Sequence, residues 1–357
     1  MKDSYLTAGI RLSQLLRLLN RNKISYSPKN IFRLVFLIQG AAWSSLFSAA
    51  EKFRYSKALK NSPLPDNPIF IVGHWRTGST FLHQLMSLDP QLYAPTLFQV
   101  ALPDSFLVSY RYYRPVFNRV MSGHRPMDHV KIGIDEPQED EYAIFRITDY
   151  SPLEQLVFPK SGSYFLKHPS TFPEISGKWK DDVMGFYRKL HFFSRKRIVS
   201  KNPFNSYRIE TLAGMFPSAR FIHIVRHPDD VIPSAMHMWN ILQKQNCLGK
   251  PVVPPGFTEV TEGLSHLLDA VETGRQLLPG DCFAEIRFED LEKEPLESLK
   301  KIYHLFNMNF SPEFEGNITN FLRETKDFRK NEFSLAAHEK SVIRTVLKIP
   351  MERYNYL

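Results

Sequence analysis

The stretch Ile69–Leu82, which reads Ile-Phe-Ile-Val-Gly-His-Trp-Arg-Thr-Gly-Ser-Thr-Phe-Leu, decides the fold. Its four leading apolar residues are typical of a buried parallel strand. Gly73 and Gly78 permit a tight turn, and the helix that begins after Gly78 offers free N–H groups and a favourable dipole to an anion. Arg76 adds a fixed positive charge. The stretch therefore predicts a strand, a loop and a helix that together bind a phosphate-like group.

The spacing of the two glycines resembles that of a Walker A loop, with one difference. A Walker A loop carries lysine directly after its second glycine, where the lysine reaches the β- and γ-phosphates. This chain has Ser79 at that position, and its positive charge stands earlier, at Arg76. The difference argues against a nucleoside triphosphatase. A plain turn between a strand and a helix, with incidental polar residues, is the second interpretation of this loop.

Short apolar runs alternate with helical segments along the chain. Three further runs read as strands: Arg197–Val199, Arg220–Val225 and Phe283–Phe288. Four segments read as helices: Ser79–Leu88, Tyr207–Met215, Asp229–Trp239 and Leu296–Phe306. This alternation predicts an α/β fold with a P-loop-like central parallel β-sheet flanked by helices on both faces.

A turn-rich stretch, Asn61–Pro68, is the predicted boundary between two parts of the chain. Residues 1–64 are expected to form an N-terminal helical segment, and residues 65–357 a single α/β domain. The segment Ile31–Ala50 is apolar, but Arg33 within it would be costly in lipid. A helix packed against the domain is therefore favoured over a membrane-embedded or interfacial helix, and peripheral membrane contact is the alternative.

The net charge limits which partners are expected, and the cysteine content limits which cell compartment is expected. The formal net charge of the 357 residues is +9, which suits nucleic acid, an acidic membrane or a polyanionic small ligand equally well. The sequence contains no recognised nucleic-acid-binding motif, so no nucleic-acid partner is expected. Cys247 and Cys282 form no Cys-x-x-Cys pair and are too few for a disulfide framework, which favours a reducing, cytoplasmic location.

A second anion site is predicted around residues 216–234. A strand ends at Arg226, and Ser234 lies two helical turns further on, close enough to share an anion with Arg226. Two anion sites of these shapes, in this order, resemble the 5′-phosphosulfate and 3′-phosphate loops of the sulfotransferase superfamily. These enzymes use 3′-phosphoadenosine 5′-phosphosulfate (PAPS) as their sulfuryl donor.

Three further segments strengthen the resemblance. Lys201–Pro203 resembles the Lys-Asp-Pro stretch of tyrosylprotein sulfotransferases, and Phe283–Leu291 resembles a family strand that often ends in Tyr-Glu-Asp-Leu. Phe328–Lys340 resembles the Trp-Lys-Asn-x-Phe segment of cytosolic sulfotransferases. The match runs discontinuously from about Pro68 to about Lys340, and bacterial sulfotransferase-like proteins are the expected relatives.

The resemblance implies a PAPS-dependent sulfotransferase that needs no metal. It assigns the 5′-phosphosulfate to five loop residues: Arg76, Thr77, Gly78, Ser79 and Thr80. Arg226 and Ser234 would hold the 3′-phosphate. A basic cluster, Lys326, Arg329 and Lys330, would close over the nucleotide. The family's Arg-Lys-Gly triplet is not present in that form, so a solvated basic loop is the alternative for this cluster.

Sulfuryl transfer needs an acceptor oxygen in line with sulfur, cations on the leaving phosphate and a base. Arg76 and Lys201 are the candidate cations. The candidate bases are Glu139, within the acidic run 135–141, and His74, inside the first loop. The acidic run has a second interpretation, as the N-terminus of a helix that Pro137 starts. His83, on the helix after the loop, is expected to be a packed residue.

The acceptor is less sharply indicated. Aromatic residues make up 13% of the chain and are frequent between the two anion sites. They suit a small hydroxylated apolar acceptor such as a steroid, bile acid or lipid, but ordinary core packing is the preferred explanation of them. A glycan acceptor is an alternative. Two different functions also compete: a P-loop nucleotide kinase, for which the sequence lacks a clear Mg²⁺-binding Asp, and a non-catalytic nucleotide-binding protein.

Overall fold

A computed structural model describes residues 6–121, 123–124, 131–159, 175–326 and 333–357. The central sheet contains β1 (Ile69–Val72), β2 (Leu92–Tyr93), β5 (Arg197–Lys201), β6 (Arg220–Val225) and β7 (Phe283–Arg287). All neighbours pair in parallel, in the order β2-β5-β1-β6-β7. A separate antiparallel pair joins β3 (Gly123–His124) to β4 (Lys131–Ile132). Because the strands are parallel, their carboxyl ends share one edge of the sheet.

Helices cover both faces of this sheet. The α-helices of the described residues are α1 (Leu12–Arg21), α2 (Pro28–Lys60), α3 (Ser79–Ser87), α4 (Leu97–Ala101), α5 (Phe106–Met121), α6 (Glu141–Ile147), α7 (Glu154–Val157), α8 (Gly177–Ser194), α9 (Ile209–Met215), α10 (Pro228–Asn246), α11 (Phe257–Gln276), α12 (Phe288–Lys293), α13 (Pro295–Leu305), α14 (Pro312–Glu324), α15 (Ala337–Val346) and α16 (Lys348–Arg353).

Strand β1 divides the apolar core into two layers. Successive side chains of a strand point to opposite faces. Phe70 and Val72 join one buried cluster, which includes residues of α8, α10 and α11. Ile69 and Ile71 join the other, which includes residues of α3, α13 and α14. The predicted parallel sheet with helices on both faces is thereby confirmed.

The predicted elements agree with the structure except near their ends. Strand β6 has the predicted bounds, whereas β5 runs two residues further than predicted, to Lys201. Helix α10 continues to Asn246, well past the predicted Trp239. Helix α6 begins at Glu141 and not at Pro137, so the prediction that Pro137 starts a helix is wrong. Pro137 instead forms an isolated bridge with Thr96, at the start of α4.

The N-terminal helices pack on the α/β core. Leu15, Leu18 and Leu37 belong to the same buried cluster as Phe70 of β1. The Ser44 hydroxyl donates to the carbonyl of Gly9 at 2.7 Å, which joins α2 to the segment before α1. The division into residues 1–64 and 65–357 stays a prediction.

A buried ion pair fixes α2 to α8. The Lys189 ammonium donates to the Glu51 carboxylate, and both side chains are at most one-tenth exposed. The same carboxylate accepts the backbone N–H of Leu107 at 2.7 Å. Burial raises the pKa of Glu51 and lowers that of Lys189, because it disfavours the charged form of each group. Each of the two buried groups therefore needs the opposite charge of its partner to stay ionised.

Replacing Lys189 alone should destabilise the fold strongly. Lys189→Met leaves the Glu51 carboxylate buried without its cation, which typically costs about 3–5 kcal/mol of unfolding free energy. The double substitution Glu51→Leu/Lys189→Met should recover most of the loss, since two apolar side chains can replace a buried pair. Urea denaturation of the three proteins measures this. A single variant as stable as the unsubstituted chain would contradict the structural role of the pair.

Candidate active site at the carboxyl edge of the sheet

The loop between β1 and α3 is held in a shape that two glycines make possible. Gly73 and Gly78 have φ angles of 141° and 88°, in the region that side chains disfavour. A Cβ on Gly78 would stand 2.1 Å from the ring of Phe288, and one on Gly73 would stand 2.5 Å from the carbonyl oxygen of Ile224. The loop is therefore pressed closely against the ends of β6 and β7.

Two loop residues show how tightly this turn is made. Arg76 itself has a φ of 72°, a conformation that residues with a side chain rarely adopt and that is frequent at functional sites. The Thr77 hydroxyl donates to the His74 carbonyl at 2.7 Å and closes the turn. Ser79 and Thr80 form the first turn of α3, directly after Gly78. The residues predicted for the 5′-phosphosulfate thus form one continuous cradle at a helix N-terminus.

The two predicted anion sites meet at the same edge of the sheet. The Arg76 Nε donates to the Ser234 hydroxyl at 2.9 Å, which joins the first site to the second. One terminal nitrogen of Arg226 lies 3.5 Å from the Arg76 carbonyl oxygen. The Arg226 guanidinium lies 4.8 Å from the centroid of the Phe288 ring. Two guanidinium groups and a hydroxyl are thereby gathered around one space.

Arg226 retains capacity to bind an anion. Its Nη2 donates to Asp230 at 3.1 Å, but Asp230 is half exposed, and an ion pair exposed to solvent is weak. Its Nε is buried and has no hydrogen-bond partner among the described residues. A phosphate oxygen would supply such a partner.

Lys201 and Glu139, predicted separately as cation and base, are brought into contact. Lys201 is the last residue of β5 and lies beside Ile71 of β1. Its ammonium donates to the Glu139 carboxylate, with 4% of the lysine side chain and 17% of the glutamate side chain exposed. Both groups therefore stand at the carboxyl edge, and the carboxylate has limited access to solvent.

The next two carboxylates of the acidic run are structural. Asn202 donates to Asp140 and to Glu141, each at 2.7 Å. Arg208 forms a two-pronged ion pair with Glu141, whose side chain is wholly buried. The Tyr187 hydroxyl donates to Asp140. The members of the run therefore have different surroundings: Glu139 contacts Lys201, whereas Asp140 and Glu141 belong to a buried network.

His74 lies in the loop with its ring almost wholly buried. Its ring is 1% exposed, and its Nδ1 is 2.9 Å from the carbonyl oxygen of Trp75. Burial lowers the pKa of His74 to about 4, so the ring is neutral at pH 7. Together with Thr77 and Arg226 it lines a small cavity, whose lining also includes residues of the C-terminal tail between Pro350 and Tyr356.

His83 is a packed helix residue, as expected. Its ring is buried on α3, with Nε2 at 3.3 Å from the Val199 carbonyl oxygen. Burial, reinforced by the nearby charge of Lys201, lowers the pKa of His83 to about 3.

The C-terminal tail is part of the site that sequence reasoning missed. The Tyr356 hydroxyl donates to Glu289 at 2.8 Å, and the other oxygen of Glu289 accepts the backbone N–H of His227 at 2.9 Å. Glu289 belongs to the Phe-Glu-Asp-Leu stretch noted in the sequence, which was the available signal. Phe288, which opens that stretch, packs against both Gly78 and Arg226.

Part of the predicted basic cluster falls outside the described residues. Arg329 and Lys330 lie there, and Lys326 is exposed just after α14. Phe333, where the description resumes, contacts the ring of His237 on α10 with centroids 5.5 Å apart. Within the described ranges, no group of three or more His, Cys, Asp or Glu side chains is placed to hold a metal ion.

Asp140 should give the fold a characteristic pH dependence. Burial, partly offset by the Tyr187 hydrogen bond, raises its pKa from 3.8 to about 6. The folded state therefore binds this proton more tightly, and its contribution to stability is lost as the pH rises through about 6. The unfolding free energy of Asp140→Asn minus that of the unsubstituted chain should rise by on the order of 3 kcal/mol between pH 3 and 7. Urea titrations at several pH values measure it; a flat difference would contradict a raised pKa.

Comparison with known proteins identifies the family of the chain. The sequence profile of the Sulfotransferase family matches residues 68–312. The omega-hydroxy-beta-dihydromenaquinone-9 sulfotransferases Stf3 of Mycobacterium bovis and Mycobacterium tuberculosis are each 28% identical over 354 residues, which is 98% of this chain and 91% of theirs.

Solved structures share the fold. Sulfotransferase STF9 from Mycobacterium avium superposes with a TM-score of 0.70 at 17% identity, covering 94% of this chain and 88% of that one. Sulfotransferase STF1 from Mycobacterium tuberculosis superposes with a TM-score of 0.62 at 18% identity, covering 94% and 90%. The chain thus belongs to the Sulfotransferase family and is an enzyme that transfers sulfo groups.

Proposed function

We propose that this sulfotransferase takes its sulfo group from PAPS and transfers it to the hydroxyl of an apolar, lipid-like acceptor. The observation that carries the proposal is the meeting of two cationic sites, through the 2.9 Å contact of Arg76 with Ser234. PAPS bears anionic groups at both the 5′ and the 3′ position of one ribose. A donor of that kind calls for two neighbouring cationic sites, whereas a nucleoside triphosphate calls for one extended site.

The 5′-phosphosulfate is assigned to the cradle after β1. Residues 76–80 supply the Arg76 guanidinium, backbone N–H groups at the start of α3, and three hydroxyls. The helix dipole favours negative charge at this point. The 3′-phosphate is assigned to Arg226 and Ser234. On binding, the Arg76–Ser234 hydrogen bond gives way to bonds from each side chain to the nucleotide, and Arg329 and Lys330 are proposed as further contacts.

Lys201 is proposed to stabilise the leaving group. The acceptor oxygen forms a bond to sulfur while the bond from sulfur to the bridging oxygen of the 5′-phosphate breaks. The electron pair of that bond stays on the phosphate, which leaves as adenosine 3′,5′-bisphosphate (PAP). A lysine ammonium at the end of β5, next to the cradle, is suited to meet the developing negative charge. Arg76 is proposed to share this role.

Glu139 is proposed as the base that takes the acceptor proton. Its carboxylate contacts Lys201, so a proton acceptor and a leaving-group cation stand together. It is partly exposed, as a group that meets an incoming substrate has to be. His74 is less suited, because it is almost wholly buried, lines the cavity beside the C-terminal tail and uses Nδ1 on a backbone carbonyl. We propose that His74 shapes the loop.

The acceptor class rests on the curated relatives. Their name describes a sulfotransferase for a hydroxylated dihydromenaquinone, and the similarity extends over 98% of this chain. We therefore favour an apolar lipid bearing a hydroxyl over a steroid or bile acid, and over a glycan. The proposed location is the cytoplasm, with contact to a membrane surface.

Nucleotide binding tests the donor assignment. PAP should raise the unfolding temperature of the protein, whereas ATP with Mg²⁺ should not. Arg226→Ala should weaken PAP binding about 10- to 100-fold, because a hydrogen bond to a charged group contributes about 1.5–3 kcal/mol. Arg344→Ala, at an exposed position on α15, is the matched control and should bind PAP normally. Stabilisation by ATP with Mg²⁺ and none by PAP would refute the donor.

Turnover by Glu139 variants tests the base. With labelled PAPS and a panel of hydroxylated lipids, steroids and glycans, Glu139→Gln should lower kcat by about 100-fold or more on the best acceptor. PAP affinity should change little, since Glu139 is not assigned to the nucleotide. Asp135→Asn is the control within the same acidic run, because Asp135 contacts exposed Arg114 instead. Full turnover by Glu139→Gln would eliminate this base and return His74 to consideration.

A further inference from the structure

The outer face of α2 is apolar over most of its length. Between residues 31 and 50 every exposed residue is uncharged, and Gln39 is the one polar side chain among them. The large apolar side chains that are more than half exposed in this stretch are Ile31, Phe32, Val35, Phe36, Trp43 and Leu46. Twenty helical residues span roughly 30 Å. A continuous exposed apolar surface of this kind is typical of an interaction site.

The opposite face of α2 is held by the protein. Leu37, Ala41 and Ser44 are buried against the core, and Glu51 is buried in its pair with Lys189. Arg33 is turned the same way and donates to the backbone carbonyls of Cys247 and Gln245. The one arginine inside the apolar stretch is thereby removed from the outer face.

Basic residues border the apolar face, and no exposed acid accompanies them. Lys29 stands before it, and Lys52, Arg54, Lys57 and Lys60 follow it, all exposed. Glu51, the single acidic residue between 23 and 60, is buried and paired. An apolar strip with basic ends is complementary to lipid chains below and lipid phosphates above.

We propose that α2 lies flat on an anionic phospholipid bilayer, with its outer apolar face at the boundary between headgroups and acyl chains. The helix is long and apolar enough to cross a membrane by composition alone. Crossing would require its inner face to leave the core and expose Arg33 and Glu51 to lipid, which is costly. Lying in the surface uses the exposed face and keeps every inner contact. The inference depends on neither the donor nor the acceptor.

Trp43 is a built-in probe for this contact. It is 59% exposed near the middle of α2, whereas the other three tryptophans, Trp75, Trp179 and Trp239, are buried. A change in tryptophan emission on adding vesicles therefore reports on Trp43. A helix in the surface keeps Trp43 near the headgroups, while a spanning helix would carry it to the bilayer centre.

The experiment mixes the full-length protein with vesicles of equal parts phosphatidylcholine and phosphatidylglycerol. The protein should float with these vesicles and much less with phosphatidylcholine alone. Trp43 emission should shift to shorter wavelength, and lipids brominated near the carbonyl should quench it more than lipids brominated near the methyl end. Stronger quenching from the methyl end would show a spanning helix and overturn the proposal, as would absence of binding.

Two sets of variants separate the apolar and charged contributions. Phe32→Gln/Phe36→Gln should lower vesicle affinity at least tenfold, and Lys52→Gln/Lys57→Gln should lower it about fivefold per lysine removed. Because all four side chains are exposed, unfolding temperatures should stay unchanged. The matched controls are Val253→Gln, 85% exposed elsewhere, and Lys293→Gln, 81% exposed on α12. Unchanged binding by the phenylalanine variant would refute the proposal.

A second copy of the chain is the competing occupant of this face. Sedimentation velocity of the lipid-free protein should show a monomer. A dimer that Phe32→Gln/Phe36→Gln dissociates would assign the face to self-association and overturn the membrane contact.

Discussion

The arrangement of the site depends on one buried pair of carboxylates, Asp140 and Glu141. Neither has access to water, so each must be matched by donors inside the protein. Asn202 bridges the two, and Arg208 neutralises Glu141. Asn202 directly follows Lys201, and Asp140 directly follows Glu139. The buried network therefore holds Lys201 in place through its neighbour Asn202, and Glu139 through its neighbour Asp140.

Close packing at the neighbouring strand ends imposes a second constraint. The ring of Phe288 occupies the space that a side chain at residue 78 would need and also lies against the guanidinium of Arg226. One side chain thus sets the position of both the loop after β1 and the arginine after β6. Because protein interiors are close-packed, a shift of the loop after β1 displaces the arginine after β6, and the reverse. The two candidate anion sites therefore form one structural unit.

The first cradle and the strand that ends just before Arg226 could be predicted from sequence because their signals are local. An apolar run, glycines at fixed spacing and a helix start lie within a few residues. The roles within residues 135–141 could not be separated, since carboxylates of the same type differ only through partners such as Asn202 and Arg208, more than sixty residues away. The contact between Tyr356 and Glu289 could not be predicted for the same reason, because it joins residues that are far apart in the chain and that no sequence pattern links.

The way α2 is attached bears on which acceptor fits. Lys189 fixes α2 to α8, and α8 leads directly into β5, which ends at Lys201. A helix and a strand are stiff, so α2 lying on a bilayer holds the Lys201–Glu139 pair at a set distance from the lipid surface. A compact sterol keeps its hydroxyl at the interface, so it could reach that pair only where the pair itself stands at the interface. A long, flexible lipid with its hydroxyl at one end can extend to it while the rest of its chain remains in the membrane. The two proposals together therefore favour a chain-terminal alcohol.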